Sequence, residues 1–179
     1  MMYAKKMYTI ILCLALSFQL FAQTKEAKIK EIKQIVQSIS KTKNLQKSLL
    51  RGDEFVKDAS PDGGAELTGY FKKGELVKII ESIGLSYGMN DVEYCFKNEK
   101  LIFVYETERY YPFNKKTSSF DHTELNVPAF QGRYYFDNDK LIKTSIKGNK
   151  RFKEDEKYDV VQLLKQVNQY KTLLKAKTR

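Results

Sequence analysis

Tryptophan is absent from this chain, histidine occurs once and cysteine twice. These shortages remove whole classes of chemistry. A protein metal site needs several His, Cys or carboxylate ligands at defined spacing, and here His122 and Cys95 stand without companions. Cys13 falls in an N-terminal apolar run expected to be cut away, which leaves Cys95 with no partner for an intramolecular disulfide. Phosphate-cradling patterns are missing as well: neither Gly-x-x-x-x-Gly-Lys nor Gly-x-Gly-x-x-Gly occurs, and Gly63-Gly64 reads as a turn. Nucleophilic catalysis needs a positioned base, yet neither Gly-x-Ser-x-Gly nor Ser-x-x-Lys with its companion motifs is found. Asp137-Asn138-Asp139 opens like a calcium loop, but Ile142 replaces the required Gly and Gly148 the closing Glu. No cofactor or metal is expected.

What is present begins with an export signal. Lys5-Lys6 precedes the apolar run Ile10–Leu16, and Phe21-Ala22-Gln23 leads into the polar Thr24-Lys25-Glu26. A basic start, a short apolar centre and a small residue at the break are the requirements of a secretory signal peptide. The run is shorter than the ~20 residues that cross a bilayer. Residues 1–22 are therefore expected to be removed, leaving a chain that is no integral membrane protein. Cleavage after Ala22 puts Leu20 where a small residue is preferred; cleavage after Ser17, with Ala15 suitably placed, is the alternative. Cys13 is a poor lipidation site because Leu12 precedes it.

The full chain has 32 Lys+Arg against 22 Asp+Glu; losing Lys5 and Lys6 lowers its net charge from +10 to +8. No block of five or six like charges occurs, so the excess reads as a solvated surface. Residues 23–179 are enough for one domain with its own core.

Along the chain, Ile29, Ile32, Ile35, Val36 and Ile39 recur at three- and four-residue steps, which predicts a helix over 25–43. Lys47–Phe55 is expected to supply a short edge strand, and Ser60-Pro61-Asp62-Gly63-Gly64 is a break. A pattern then appears three times: Tyr70–Val77, Cys95–Ile102 and Tyr135–Ile142 each hold Phe, four turn-forming residues, Leu and a β-branched residue. These are hairpins. Two-residue turns at Lys73-Gly74, Asn98-Glu99 and Asn138-Asp139 would pair Phe71 with Leu76, Phe96 with Leu101 and Phe136 with Leu141. Continued strictly, the middle hairpin pairs Tyr94 with Phe103 and Val92 with Tyr105 on one face, and Cys95 with Ile102 and Glu93 with Val104 on the other. The polar insertion Pro112–Val127 carries His122, and Pro128 marks a bulge or strand start. Tyr158, Val161, Leu164, Val167 and Leu174 form a helical stripe over 154–175. The expected fold is α+β: a meander of about six antiparallel strands over 65–147, with an N-terminal and a C-terminal helix covering one face.

The runs Gly63-Gly64-Ala65-Glu66-Leu67-Thr68-Gly69-Tyr70-Phe71 and Gly132-Arg133-Tyr134-Tyr135-Phe136, with Glu93–Phe96 and Lys100–Glu106, resemble small exported proteins of Bacteroidota-type bacteria. The resemblance covers roughly residues 60–150 and implies an exported β-meander without a catalytic motif.

For chemistry, three features remain. Glu93, Glu106 and Glu108 are candidates for a carboxylate pair, since glycoside cleavage needs only two acids in a cleft. Cys95 alternates onto an apolar face and reads as a buried, inert thiol. Aromatics crowd the fourth and fifth strands and the insertion beside Arg109, Lys115 and Arg133. Tyr beside Arg or Lys suits stacking on sugars, lipid head groups or peptides. The candidate ligand surface is Tyr105, Arg109, Tyr110, Tyr111, Phe113 and Tyr134, with Tyr110 and Tyr111 on opposite faces. The expected function is non-enzymatic binding in the periplasm or outside the cell. The partner would be an envelope or extracellular protein, glycan or anionic lipid, rather than nucleic acid. A small hydrolase with unidentified carboxylates and an envelope-associated structural protein are the alternatives; the first requires a deep cleft with convergent acids.

Overall fold

Three tight turns set the architecture. The computed structural model describes residues 24–56, 61–152 and 159–178, so the expected signal peptide lies outside the described residues. Lys73-Gly74, Asn98-Glu99 and Asn138-Asp139 all take positive φ, between 49° and 82°. Two consecutive left-handed residues define a type I′ turn, whose twist matches that of the flanking strands. Phe71 pairs with Leu76, Phe96 with Leu101 and Phe136 with Leu141, as the repeat predicts.

Beyond that pair the register departs from strict alternation. Tyr70 pairs with Lys78, Cys95 with Phe103 and Tyr135 with Lys143, so Val77, Ile102 and Ile142 are extra residues. Each is a β-bulge. The expected Tyr94–Phe103, Val92–Tyr105, Cys95–Ile102 and Glu93–Val104 pairs are replaced by Tyr94–Val104, Val92–Glu106, Cys95–Phe103 and Glu93–Tyr105. A bulge sets two neighbouring residues on one face and raises the local twist. Ile102 and Phe103 consequently pack together on one side while Leu101 and Val104 pack on the other.

The strands are β1 (Gln46–Arg51), β2 (Ala65–Lys72), β3 (Glu75–Leu85), β4 (Gly88–Lys97), β5 (Lys100–Tyr110), β8 (Phe130–Asp137) and β9 (Lys140–Gly148), in one antiparallel sheet of that order. The edge strand expected in Lys47–Phe55 is β1, which makes seven strands rather than six; the rest of that segment is a single helical turn, α2 (Gly52–Phe55). Within Pro112–Val127, β6 (Phe113–Asn114) and β7 (Ser119–Phe120) form a separate small hairpin.

Helix α1 spans residues 24–41 and α3 spans Val160–Lys177. Asp159 fixes the start of α3 by accepting the N–H groups of Val161 and Gln162 at 2.9 and 3.1 Å. Of the helix expected over 154–175, residues 154–158 lie outside the described residues. The two helices cover opposite faces of the sheet, which corrects the expectation of a single covered face. Val167, Tyr170 and Leu174 of α3 join Phe71, Ile79, Tyr94, Phe96, Val104 and Phe136 in one core. Ile29, Ile32 and Ile39 of α1 join Val77, Cys95, Ile102, Phe103 and Tyr135 in the other. The physical reason is that β5 is buried on both sides from Leu101 through Val104, so each side needs a cover. Ion pairs from Glu31 to Lys97 at 2.6 Å and from Lys28 to Asp137 at 3.5 Å hold α1 over the hairpin ends. On the other face Gly69 admits α3: a Cβ there would lie 3.0 Å from a Leu174 methyl group. Among the described residues no helix is long and apolar enough to cross a membrane.

Candidate functional site

On the α3 face, the residues aligned across the sheet change from apolar to polar toward one end. Ile79, Tyr94, Val104 and Tyr134 form one cross-strand row, and Glu81, Val92, Glu106 and Gly132 the next. Beyond them lie Ile83, Asn90, Glu108 and Phe130. Glu81 and Glu106 are two strands apart, roughly 10 Å between backbones. The first turns of α3 stand over this region and leave a cavity of about 310 Å³, lined by Glu81, Asn90, Val92, Glu106, Lys150 and Gln166 among others.

Its two glutamates are held differently. Glu81 is 3% exposed and accepts the hydroxyls of Tyr94, at 2.7 Å, and of Tyr170. Burial pushes its pKa above the usual carboxylate range; the two tyrosine hydrogen bonds oppose this, and the Glu106 charge adds to it. Glu106 instead meets a cation: the Lys150 ammonium lies 2.6 Å from one carboxyl oxygen, and the Tyr134 hydroxyl donates to the other at 3.3 Å. The Tyr134 and Tyr170 phenols are held well above their ordinary range, first by burial and then by the neighbouring carboxylates. Gly132 permits the Tyr134 contact, since a Cβ at that position would come 2.7 Å from the Tyr134 ring. Gly is needed here for close approach.

The Oδ1 atom of Asn90 is buried in this wall and has no hydrogen-bond partner among the described residues. Most buried polar atoms are paired, and an orphan needs a reason. The Tyr94, Tyr134 and Tyr170 hydroxyls are directed at carboxylates, so the sheet wall carries acceptors in Glu81, Glu106 and Asn90, while Lys150, Gln162 and Gln166 complete the lining. Such a space suits a small ligand rich in N–H or O–H groups.

The residues proposed from sequence are divided by this architecture. Tyr134 belongs to the cavity's support. Tyr105 is on the opposite face, its hydroxyl 3.1 Å from Gln131 and its ring 4.5 Å from the Arg133 guanidinium. Arg109 is paired with Asp91 at 2.6 Å. Tyr110 donates to Glu108, Tyr111 packs on the His122 ring at 4.5 Å, and Phe113 packs on Phe120 at 5.1 Å while remaining 53% exposed. Tyr110 and Phe120 also flank Arg151, whose guanidinium lies 4.7 Å from the Tyr87 ring. Of the proposed acids, Glu106 lines the cavity. Glu108 accepts from Tyr110 and the Arg151 N–H, and Glu93 accepts from Cys95 on the α1 face. Cys95 is fully buried, and burial first, then Glu93, pushes its thiol pKa far up.

Glu81, Asn90, Lys150 and Gln166 were not singled out by sequence. Glu81 did leave a signal: it is the one acid inside Lys78-Ile79-Ile80-Glu81-Ser82-Ile83. A larger hollow of about 740 Å³ lies beside Arg51, Gly63 and Gly84, but its ionisable residues Arg51, Asp53 and Glu66 are all exposed. No group of His, Cys, Asp and Glu side chains among the described residues is arranged to hold a metal ion. Comparison with protein-family models, curated proteins and solved structures finds no match.

Proposed function

We propose that this is an exported, non-enzymatic binding protein that takes a small, donor-rich ligand into the cavity between α3 and the sheet. The reading keeps the class expected from sequence and moves the ligand from the aromatic rim to the interior. One observation carries it: a cavity of about 310 Å³ brings Asn90, whose buried Oδ1 has no hydrogen-bond partner among the described residues, together with the carboxylates of Glu81 and Glu106. A polyol, amino sugar or short amine fits that chemistry; an anionic lipid does not. Calorimetric titration with glucose, glucosamine, 1,4-butanediol and 1,4-diaminobutane tests it. Saturable binding of at least one probe is expected, and Asn90→Leu should abolish it. Four flat titrations, or unchanged binding by Asn90→Leu, would remove the case.

A second reading, a small hydrolase, is favoured by the split environments of Glu81 and Glu106. A buried acid whose pKa is raised, beside a second acid paired with an ammonium, is the kind of arrangement that acid–base cleavage of a glycoside uses. Turnover of nitrophenyl glycosides lost in both Glu81→Gln and Glu106→Gln would support it. Absent turnover in the wild type would end it.

A further inference from the structure

Resting on the cavity reading, we infer that the ligand carries a primary ammonium group, which exchanges with the side chain of Lys150 on Glu106. The site where this happens is already built. The Lys150 nitrogen lies 2.6 Å from Glu106 and 5.1 Å from the centre of the Phe130 ring, and the ion pair is almost wholly covered, with side-chain exposures of 11% and 9%. A carboxylate in front and an aromatic face beside it are the chemistry that recognises an alkylammonium. The protein therefore fills an ammonium site with its own lysine.

That lysine is placed to leave. Lys150 lies in the connector after β9, in neither a strand nor a helix, and among the described residues its ammonium meets Glu106 and the Phe130 ring. Exchange also decides the ligand's charge. A neutral hydroxyl entering in place of Lys150 leaves a buried carboxylate without a counter-ion, which is strongly unfavourable. An incoming ammonium keeps Glu106 paired throughout. Glu81, on the same cavity wall, favours positive charge further when ionised. Asn90 supplies the second contact: it is the diagonal cross-strand neighbour of Glu106, at roughly 7–8 Å. A short diamine or an amino alcohol spans that interval.

Titration of the purified wild type, Lys150→Met and Glu106→Gln with 1,4-diaminobutane and with 1,4-butanediol tests the exchange. The wild type should bind the diamine at least about tenfold more tightly than the diol. Removing the tethered competitor in Lys150→Met should tighten diamine binding by about another tenfold. Glu106→Gln should bring the diamine down to the level of the diol. If Lys150→Met does not fold, the Cε resonance of Lys150 in the wild type answers instead, and must shift with diamine and not with diol. Equal affinity for diol and diamine overturns the exchange while the donor-rich cavity stands, and Lys150–Glu106 is then a structural ion pair only. Diamine affinity unchanged by Lys150→Met, or an unmoved Lys150 signal, overturns it likewise. Failure of every probe, glucose and glucosamine included, overturns both readings.

Discussion

At single residues, the cavity wall is governed by what burial does to a carboxyl and to an unpaired amide. Because the folded-state pKa of Glu81 is raised above its ordinary 4.5, the folded protein binds that proton more tightly than the unfolded chain. The resulting stabilisation is complete below pH 4.5 and is lost as pH rises through the folded-state value. Glu81→Gln has no proton to lose. Its denaturation midpoint should therefore gain on the wild type between pH 4.5 and neutrality, and parallel pH courses would mean that folding leaves the Glu81 pKa unshifted. Asn90→Leu addresses the other group. Replacing an unsatisfied buried acceptor with an apolar side chain of similar size should hold stability or raise it by about 1 kcal/mol. A measurable loss in urea unfolding would show that Asn90 is structural. Phe96, 1% exposed between Tyr94 and Leu101, is the core residue with the plainest expectation. Phe96→Ala should cost about 3–5 kcal/mol, much of the stability of a domain this size.

Among the elements, the hairpins were largely legible because their turns are written in short-range chemistry. Gly, Asn and Asp at positive φ, with Phe and Leu closing each turn, specify a loop that needs no tertiary partner. The bulges were not legible. Ile102 and Phe103 are both apolar, and strict alternation gives them opposite faces; only covers on both sides of the sheet make their shared face favourable. The same fact decides the helices. Leu101–Val104 is apolar on both faces, but which helix covers which face depends on chain crossings that no local pattern encodes. Lys73 is the weak point of the first turn, a Lys at φ 52° with an exposed side chain. Lys73→Asn should stabilise by about 1 kcal/mol, since Asn tolerates that conformation better. Chemical denaturation checks this, and an unchanged or lower midpoint would argue against the assigned turn type.

Over the whole molecule, the seven-stranded sheet separates an α1 side held by ion pairs at the hairpin ends from an α3 side that departs from close packing at one end. The exposed edge strand β9 carries Lys140, Lys143 and Lys147, in keeping with charged residues that blunt unpaired sheet edges. The candidate site lies where polar residues from β3, β4, β5, the β9–α3 connector and α3 converge. Their separation along the chain, from Glu81 to Gln166, explains why spacing could not disclose it. On the proposed reading the protein is exported, and cleavage should give a chain starting near Gln23; intact-mass analysis of the envelope fraction reads this directly. Amide-resolved NMR during titration with 1,4-diaminobutane most directly tests whether the cavity is the binding site. Shifts should centre on Glu81, Asn90, Glu106 and Gln166, whereas shifts confined to Tyr110, Tyr111 and Phe113, or none at all, would contradict it.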